Sequence, residues 1–222
     1  MKAVGLDLGG SKIEAQIFDA NWTLTDKRRV DTPQTYKDLL NAIGDLISWS
    51  KAGHANFPIG IGAAGVLSAD GRALTANLPA TNQRIVHDIH AQFDDGIVYI
   101  NDGRAFALSE AVFGAGRGCD MMLGLILGTG VGAGMVWRGV LIGEPHSIAG
   151  EIGHVAAPLA VCGDLPVIAC GCGRSACYEA YASGLGLSRL AMHYTGETLS
   201  PMEIADQKSK NPAVKMAWEK WC

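Results

Sequence analysis

A mixed α/β fold in two lobes is what this sequence predicts, and three observations carry that reading. An apolar run, a glycine turn and a second apolar run open the chain at residues 3–18, and the same design returns at 121–138. Runs with apolar residues at strand spacing alternate with runs at helical spacing. Several strand-like runs end in glycine or in Asn-Asp, the places where α/β proteins set their ligands.

The elements follow in order. Ala3 to Leu8 reads as a buried strand, Gly9-Gly10-Ser11-Lys12 as a turn, and Ile13 to Phe18 as the returning strand. Leu24 to Val30 supplies a third. Thr32-Pro33 precedes a helix over Tyr36 to Ser50, because Leu39, Leu40, Ile43, Leu46 and Ile47 recur at helical spacing. Pro58 to Ala63 is a strand ending in Ala64-Gly65, and Ile85 to Phe93 is a short helix. Ile97 to Ile100 is a strand with Asn101-Asp102-Gly103 at its end, followed by an alanine-rich helix from Arg104 to Phe113. The second lobe begins there, giving domains of 1–113 and 114–222. In it Met121 to Leu127 is a strand, Gly128 to Gly134 a glycine-rich turn, and Met135 to Arg138 the returning strand. A helix is expected from Cys177 to Ala191, and another begins at Met202.

Composition excludes several classes. With 222 residues and 48% hydrophobic content the chain can bury a real core. A net charge of −4 with no basic face makes nucleic acid an unexpected partner. No apolar stretch is long enough to span a bilayer, so no membrane partner is expected. The 29 glycines are clustered, which signals tight turns or close backbone approach to a ligand. Six cysteines do not form a disulfide pattern: Cys119, Cys162 and Cys222 stand alone, and Cys170 and Cys172 are poorly spaced to bridge. The N-terminus carries no secretory pattern, so a reducing cytoplasm is the expected setting.

The stretch from Cys170 to Cys177 reads Cys-x-Cys-x4-Cys with glycine spacers, and His154 stands shortly before it. Three thiols and an imidazole are the four soft and borderline ligands that tetrahedral zinc takes. His154 is preferred over His54, His87, His90, His146 and His193 because Glu151-Ile152-Gly153 places it in a tight turn. The competing reading is a set of unliganded core cysteines, for which that spacing has no evident use.

Two glycine turns are candidates for phosphate. Asp7, Gly9, Gly10, Ser11 and Lys12 put a carboxylate, bare backbone and an ammonium in one bend. Gly128, Thr129 and Gly130 open the second, which lacks a Walker lysine. For the first, a plain hairpin turn explains the residues equally well; for the second, a flexible connection is the bland alternative. Asp102 has two readings as well: an N-cap for the following helix, which its position alone favours, or a carboxylate projecting from the carboxyl end of the sheet.

Taken together these motifs resemble the ROK family of sugar kinases and repressors, within the actin-like, hexokinase-like ATPase superfamily. The resemblance rests on residues 7–12, 60–65, 101–102, 127–134, 150–154 and 170–179, in family order. It is nearest to the family's N-acetyl-D-glucosamine kinases, through 76–80, 106–111 and 125–132. It implies an α/β fold of two ribonuclease H-like lobes with a central cleft, and, with no helix-turn-helix ahead of Met1, a kinase. Asp102 would be the general base for a sugar 6-hydroxyl. Gly65, Asn77, Asn101, Glu151, His154 and Glu179 would bind the sugar. Asp7, Gly9, Gly10, Ser11, Lys12, Gly128, Thr129 and Gly130 would hold ATP with Mg²⁺. His154, Cys170, Cys172 and Cys177 would hold a structural Zn²⁺. Small-molecule sugar and ATP are then the partners, and a homodimer is the family's common assembly. N-acetylmannosamine, glucose and fructose stay open as substrates.

The chain departs from the family's pattern in places. Ser11 replaces a threonine, Ala133 and Ala176 replace glycines, and Gly103-Arg104 follow Asp102 where alanine and asparagine are usual. Family members also run well past the point matching Cys222, into a segment that cradles adenosine. A truncated chain with an incomplete nucleotide site, binding sugar without turnover, is therefore a second expectation.

Overall fold

The computed structural model describes residues 3–52, 57–75, 77–93, 96–143, 149–158 and 163–222. Ala76 of the sequence match, His54, His146 and Cys162 lie outside the described residues. The chain divides into two compact units, Met1–Phe106 with Gly143–Ile148, and Ala107–Ile142 with Ala149–Cys222.

In the first unit β1 (Ala3–Leu8) turns through Gly9–Ser11 into antiparallel β2 (Lys12–Phe18), which continues into β3 (Leu24–Asp31). On its other side β1 pairs in parallel with β4 (Ile59–Ala63), and β4 with β7 (Val98–Asn101). The sheet order is therefore β3-β2-β1-β4-β7. A small hairpin, β5 (Val66–Leu67) with β6 (Ala73–Leu74), follows β4. The register sets Leu8 beside Ala63 and Ala63 beside Asn101, so the carboxyl ends of the three parallel strands finish level.

Helix α1 (Tyr36–Lys51) buries the face its sequence period foretells: Leu39, Leu40, Ile43, Leu46 and Ile47. Each such aliphatic side chain contributes roughly 1.5–3 kcal/mol on burial. Thr35 caps its start, accepting from the Asp38 N–H at 3.2 Å. Gly44 on the same helix leaves room for Phe93, whose ring would lie 2.7 Å from an added Cβ. Phe93 follows α2 (Ile85–Gln92), whose Ile85 and Ile89 complete the core with Leu8, Ile13 and Ile61. α3 (Asp102–Val112) starts directly after β7, two residues earlier than the sequence suggests.

In the second unit β8 (Met121–Leu127), β9 (Val131–Trp137) and β10 (Val140–Leu141) form an antiparallel sheet of order β10-β9-β8. The expected turn over Gly128 to Gly134 is shorter than its glycines suggest. Leu127 already pairs with Val131, and Gly134 pairs with Gly124, so only residues 128–130 turn and the returning strand starts at Val131 instead of Met135. Gly124 is needed for packing, since a Cβ there would lie 2.8 Å from Ala107.

The helix expected from Cys177 to Ala191 is two helices, α4 (Tyr178–Ala182) and α5 (Gly184–Thr195). Ser183 breaks them. It is extended, and its hydroxyl accepts from the Gly186 N–H at 2.9 Å while donating to the Glu179 carbonyl at 2.7 Å. α6 (Pro201–Gln207) opens with a Ser200–Glu203 capping box, and α7 (Pro212–Trp221) with Asn211 as cap. Tyr181, Leu187, Leu190, Ile204, Val214 and Ala217 form the core of this helical part. No helix among the described residues is long and apolar enough to cross a membrane.

Candidate functional site

The residues singled out in the sequence fall into two groups, one in each unit. In the first unit, the level ends of β1, β4 and β7 bring Asp7, Gly9, Gly10, Gly65, Asn101 and Asp102 to one edge of the sheet. The Gly9 N–H donates to the Lys12 carbonyl at 3.0 Å and closes the turn. Thr32 braces it from β3's end, donating through its hydroxyl to the Gly9 carbonyl at 2.6 Å and through its N–H to the Ser11 carbonyl at 3.0 Å. Asn77 lies against the same turn: a Cβ on Gly10 would sit 2.4 Å from that of Asn77.

Asn101 takes the capping role that the sequence offered to Asp102. Its Oδ1 accepts from the Arg104 N–H at 3.2 Å, and its Nδ2 donates to the Gly65 carbonyl at 3.1 Å. The Asp102 side chain stays exposed, and its Oδ1 accepts from the neighbouring Gly103 N–H at 2.8 Å. Gly65 adopts a φ of +112°, in the region that favours glycine, and a Cβ there would meet the Leu74 carbonyl at 2.4 Å. The Asp7 carboxyl is pushed above its ordinary value, first by the protein around it and then by the charges of Asp102 and Glu14. Its residue nonetheless reaches solvent.

Arg104 lies in the interior. It is a departure from the family pattern and is 1% exposed, with Nη2 donating to the Gly143 carbonyl at 3.0 Å. Its charge and its place on an alanine-rich helix gave no signal that it would be interior.

In the second unit His154, Cys170, Cys172 and Cys177 converge, with one ligand atom from each within 4.8 Å of all the others. Cys172 Sγ lies 3.7 Å from Cys177 Sγ, and Cys170 Sγ lies 3.5 Å from His154 Nδ1. A tetrahedral zinc with ordinary bond lengths has edges of about 3.8 Å between sulfurs and about 3.5 Å between sulfur and nitrogen, so the donors fit that ion. The other ring nitrogen, His154 Nε2, lies 4.0 Å from Glu151 Oε2.

The backbone stitches the two halves of this cluster together. His154 ends the short 3₁₀ turn Ile152–His154, and the Tyr178 N–H donates to the Val155 carbonyl at 2.9 Å. The Ala157 N–H reaches the Ala176 carbonyl at 2.8 Å, and the Cys170 N–H the Arg174 carbonyl at 2.8 Å. The Arg174 N–H and guanidinium hold the Cys172 thiol down to about 6, whereas burial pushes the Cys177 thiol up to about 12. Ala176 sits at φ +56°, the left-handed region. That region suits glycine better than the alanine that stands there. Ala133 shows no such strain and is simply a buried β9 residue.

Glu179 stands in the first turn of α4, two residues after Cys177. Its Oε2 accepts from the Val131 N–H at 3.0 Å, beside the turn of Gly128–Gly130, and its Oε1 lies 3.9 Å from Cys170 Sγ. The other end of that turn is held where the Gly184 N–H donates to the Gly128 carbonyl at 2.8 Å. Ser183 and Gly184 are positioning residues the sequence did not mark, because the apolar pattern runs through them without a break.

Comparison with known proteins agrees with these features. The family model described as "ROK family" matches residues 3–220. The N-acetylgalactosamine kinase AgaK of Shewanella sp. (strain ANA-3) is 42% identical over 200 residues, covering 87% of this chain and 65% of that protein. The N-acetyl-D-glucosamine kinase of Pectobacterium carotovorum subsp. carotovorum (strain PC1) is 40% identical over 208 residues, covering 90% and 68%. The chain thus spans about two thirds of these relatives' lengths. Among solved structures, the ROK hexokinase from Thermus thermophilus superposes with a TM-score of 0.83 at 30% identity, over 98% of this chain and 72% of that one. A ROK family glucokinase from Streptomyces griseus, in complex with glucose and AMPPNP, gives 0.73 at 28% identity over 100% and 75%. By its sequence and by its fold, the chain belongs to the ROK family.

Proposed function

We propose that this protein transfers the γ-phosphoryl group of ATP to the 6-hydroxyl of N-acetyl-D-glucosamine. The observation that carries the reading is Asp102: an exposed carboxylate at the level ends of three parallel strands, relieved of capping duty by Asn101 and near enough to Asp7 for its charge to be felt there. In this reading the Asp102 carboxylate orients the sugar hydroxyl and takes its proton as that oxygen attacks the γ-phosphorus and ADP leaves. Lys12 and the bare backbone of Gly9, Gly10 and Ser11 meet phosphate oxygens, as do Gly128, Thr129 and Gly130 in the second unit. Asp7 holds Mg²⁺ through water, in keeping with that ion's reluctance to shed its shell.

Gly65, Asn77, Asn101, Glu151, His154 and Glu179 serve the sugar, the carboxylates each accepting from neighbouring hydroxyls. Zn²⁺ on His154, Cys170, Cys172 and Cys177 is structural, since four protein ligands leave no open position. It fixes where His154 and Glu179 stand.

The test is a coupled ADP-release assay with a panel of N-acetylglucosamine, N-acetylgalactosamine, N-acetylmannosamine, glucose and fructose. Turnover greatest with N-acetylglucosamine supports the reading. The 42% identity to a protein named N-acetylgalactosamine kinase favours a second reading, the epimer as substrate, and the same panel decides between them. Sugar binding by calorimetry without any ADP release would instead make this chain a non-catalytic sugar binder.

A further inference from the structure

We propose that Glu179 is a positioning residue that ties the glycine turn Gly128–Gly130 to the Cys₃His cluster, so that metal occupancy sets the rigidity of that turn. The turn is held at both ends, at one by Glu179 of α4 and at the other by Gly184, which opens α5 just past the break at Ser183. At one end Glu179 Oε2 accepts the Val131 N–H at 3.0 Å, a charge-assisted bond to the first residue after the turn. At the other, Gly184 donates to the Gly128 carbonyl at 2.8 Å. Between the two holders, the Ser183 hydroxyl closes on the Glu179 carbonyl at 2.7 Å.

The start of α4 is Cys177, a member of the cluster, two residues before Glu179. A second route runs through the histidine. Gly153, beside His154, packs so closely on β9 that a Cβ would lie 2.4 Å from the Val131 carbonyl. Both peptide groups of Val131 are therefore in reach of cluster elements. The turn itself is shaped around the carboxylate: a Cβ on Gly130 would lie 2.6 Å from Glu179 Oε2. Loosening the metal centre frees the start of α4, and with it the bond that closes the turn.

The consequence for nucleotide rests on the kinase reading above, whereas the coupling itself does not. Amide hydrogen exchange over residues 125–134 reads the coupling directly. Zinc-loaded and chelator-stripped protein, with metal content measured, are compared for the wild type, Glu179→Ala and Glu179→Gln. Stripping is expected to speed exchange at Val131 roughly tenfold or more in the wild type, the scale of one lost hydrogen bond to a charged group. In Glu179→Ala the loaded protein exchanges that fast already, and stripping adds little. Glu179→Gln keeps an acceptor oxygen and most of the protection. The proposal is overturned if stripping speeds exchange over 168–178 but leaves Val131 unchanged, if Glu179→Ala keeps the full response to zinc, or if Glu179→Gln exchanges like stripped protein. AMPPNP affinity by calorimetry separates the two readings. If Val131 follows the metal while that affinity stays constant, the phosphate role of the turn fails and the coupling stands.

Discussion

The two units use glycine turns of similar sequence and hold them by different means. The turn at Gly9–Lys12 closes on its own backbone and on Thr32, so its shape needs only the sheet around it. The turn at Gly128–Gly130 is held by Glu179 of α4, which follows Cys177 of the Cys₃His cluster, and by Gly184, which opens α5. The first unit carries Asp7 and Asp102, and the second carries the thiols and imidazole together with Glu151 and Glu179. The contrast teaches that a shared turn motif fixes local geometry but leaves open what maintains it. In one unit the sheet suffices, while in the other the helices beside the Cys₃His cluster do the holding.

The largest effect that would break this comparison is expected at Asp102. Asp102→Asn should lower kcat by about 10²–10⁴-fold, the usual contribution of a general base. Sugar affinity by calorimetry should change little, because the helix start is capped by Asn101. Retained turnover would move the base elsewhere. Next comes the cluster. Cys177→Ser removes a buried ligand. It should abolish stoichiometric zinc and lower the melting temperature by roughly 10 °C, since a structural zinc contributes several kcal/mol and each kcal/mol moves Tm by about 2–4 °C at this size. Exchange over 3–18 should be spared while 168–178 loses protection. Uniform loss across both units would show that the metal supports the whole chain.

A smaller effect sharpens the contrast between the turns. Gly10→Ala drives a Cβ to 2.4 Å from the Asn77 Cβ and 3.2 Å from its carbonyl oxygen, and should cost about 1–3 kcal/mol in urea unfolding. Gly130→Ala drives a Cβ to 2.6 Å from Glu179 Oε2, pushes that carboxylate off the Val131 N–H, and should cost about 1.5–3 kcal/mol in the wild type but little in a Glu179→Ala background. A Gly130→Ala cost that persists without Glu179 would erase the distinction between a turn packed on its own unit's fold and one shaped around a carboxylate. Ala176→Gly should run the other way. Relief of the left-handed backbone, less the entropy glycine adds to the unfolded chain, leaves a gain of about 0.5–1 kcal/mol.

These sites also show what the sequence made legible. β1, β2 and α1 were readable almost to the residue, because alternation and the 3.6-residue period report which face is buried. The cluster was readable because four ligands need a spacing that little else explains. Three features were hidden. The glycines of β9 look like turn residues, but strand pairing with β8 absorbs them. Ser183 sits inside an apolar period that runs straight through the break, and only its two hydrogen bonds reveal it. The strain at Ala176 depends on how the knuckle closes between Ile168 and Ala157, which no local pattern encodes. The ends of elements were set by partners distant in sequence, and the chemistry clusters at those ends.

The smallest effect separates the acidic first unit from the thiol-bearing second by pH. The folded chain holds the Asp7 proton more tightly than the unfolded chain, because surrounding protein and the charges of Asp102 and Glu14 disfavour its anion. Below the ordinary carboxylate value of 3.8 Asp7 therefore costs nothing. As pH rises through the raised folded value, its ionisation is resisted by the fold, and the cost is in full force at pH 7. Because the residue reaches solvent, screening trims that cost to about 0.5 kcal/mol. Asp7→Asn, which cannot ionise, should thus be more stable than the wild type at pH 7 and indistinguishable from it at pH 3. Urea unfolding at the two pH values measures the difference, while Mg²⁺-dependent ATP affinity should fall in the same variant. A stability gain equal at both pH values would mean that the carboxylate's charge is not what strains this edge of the sheet. The level strand ends would then hold Asp7 beside Asp102 at no electrostatic cost.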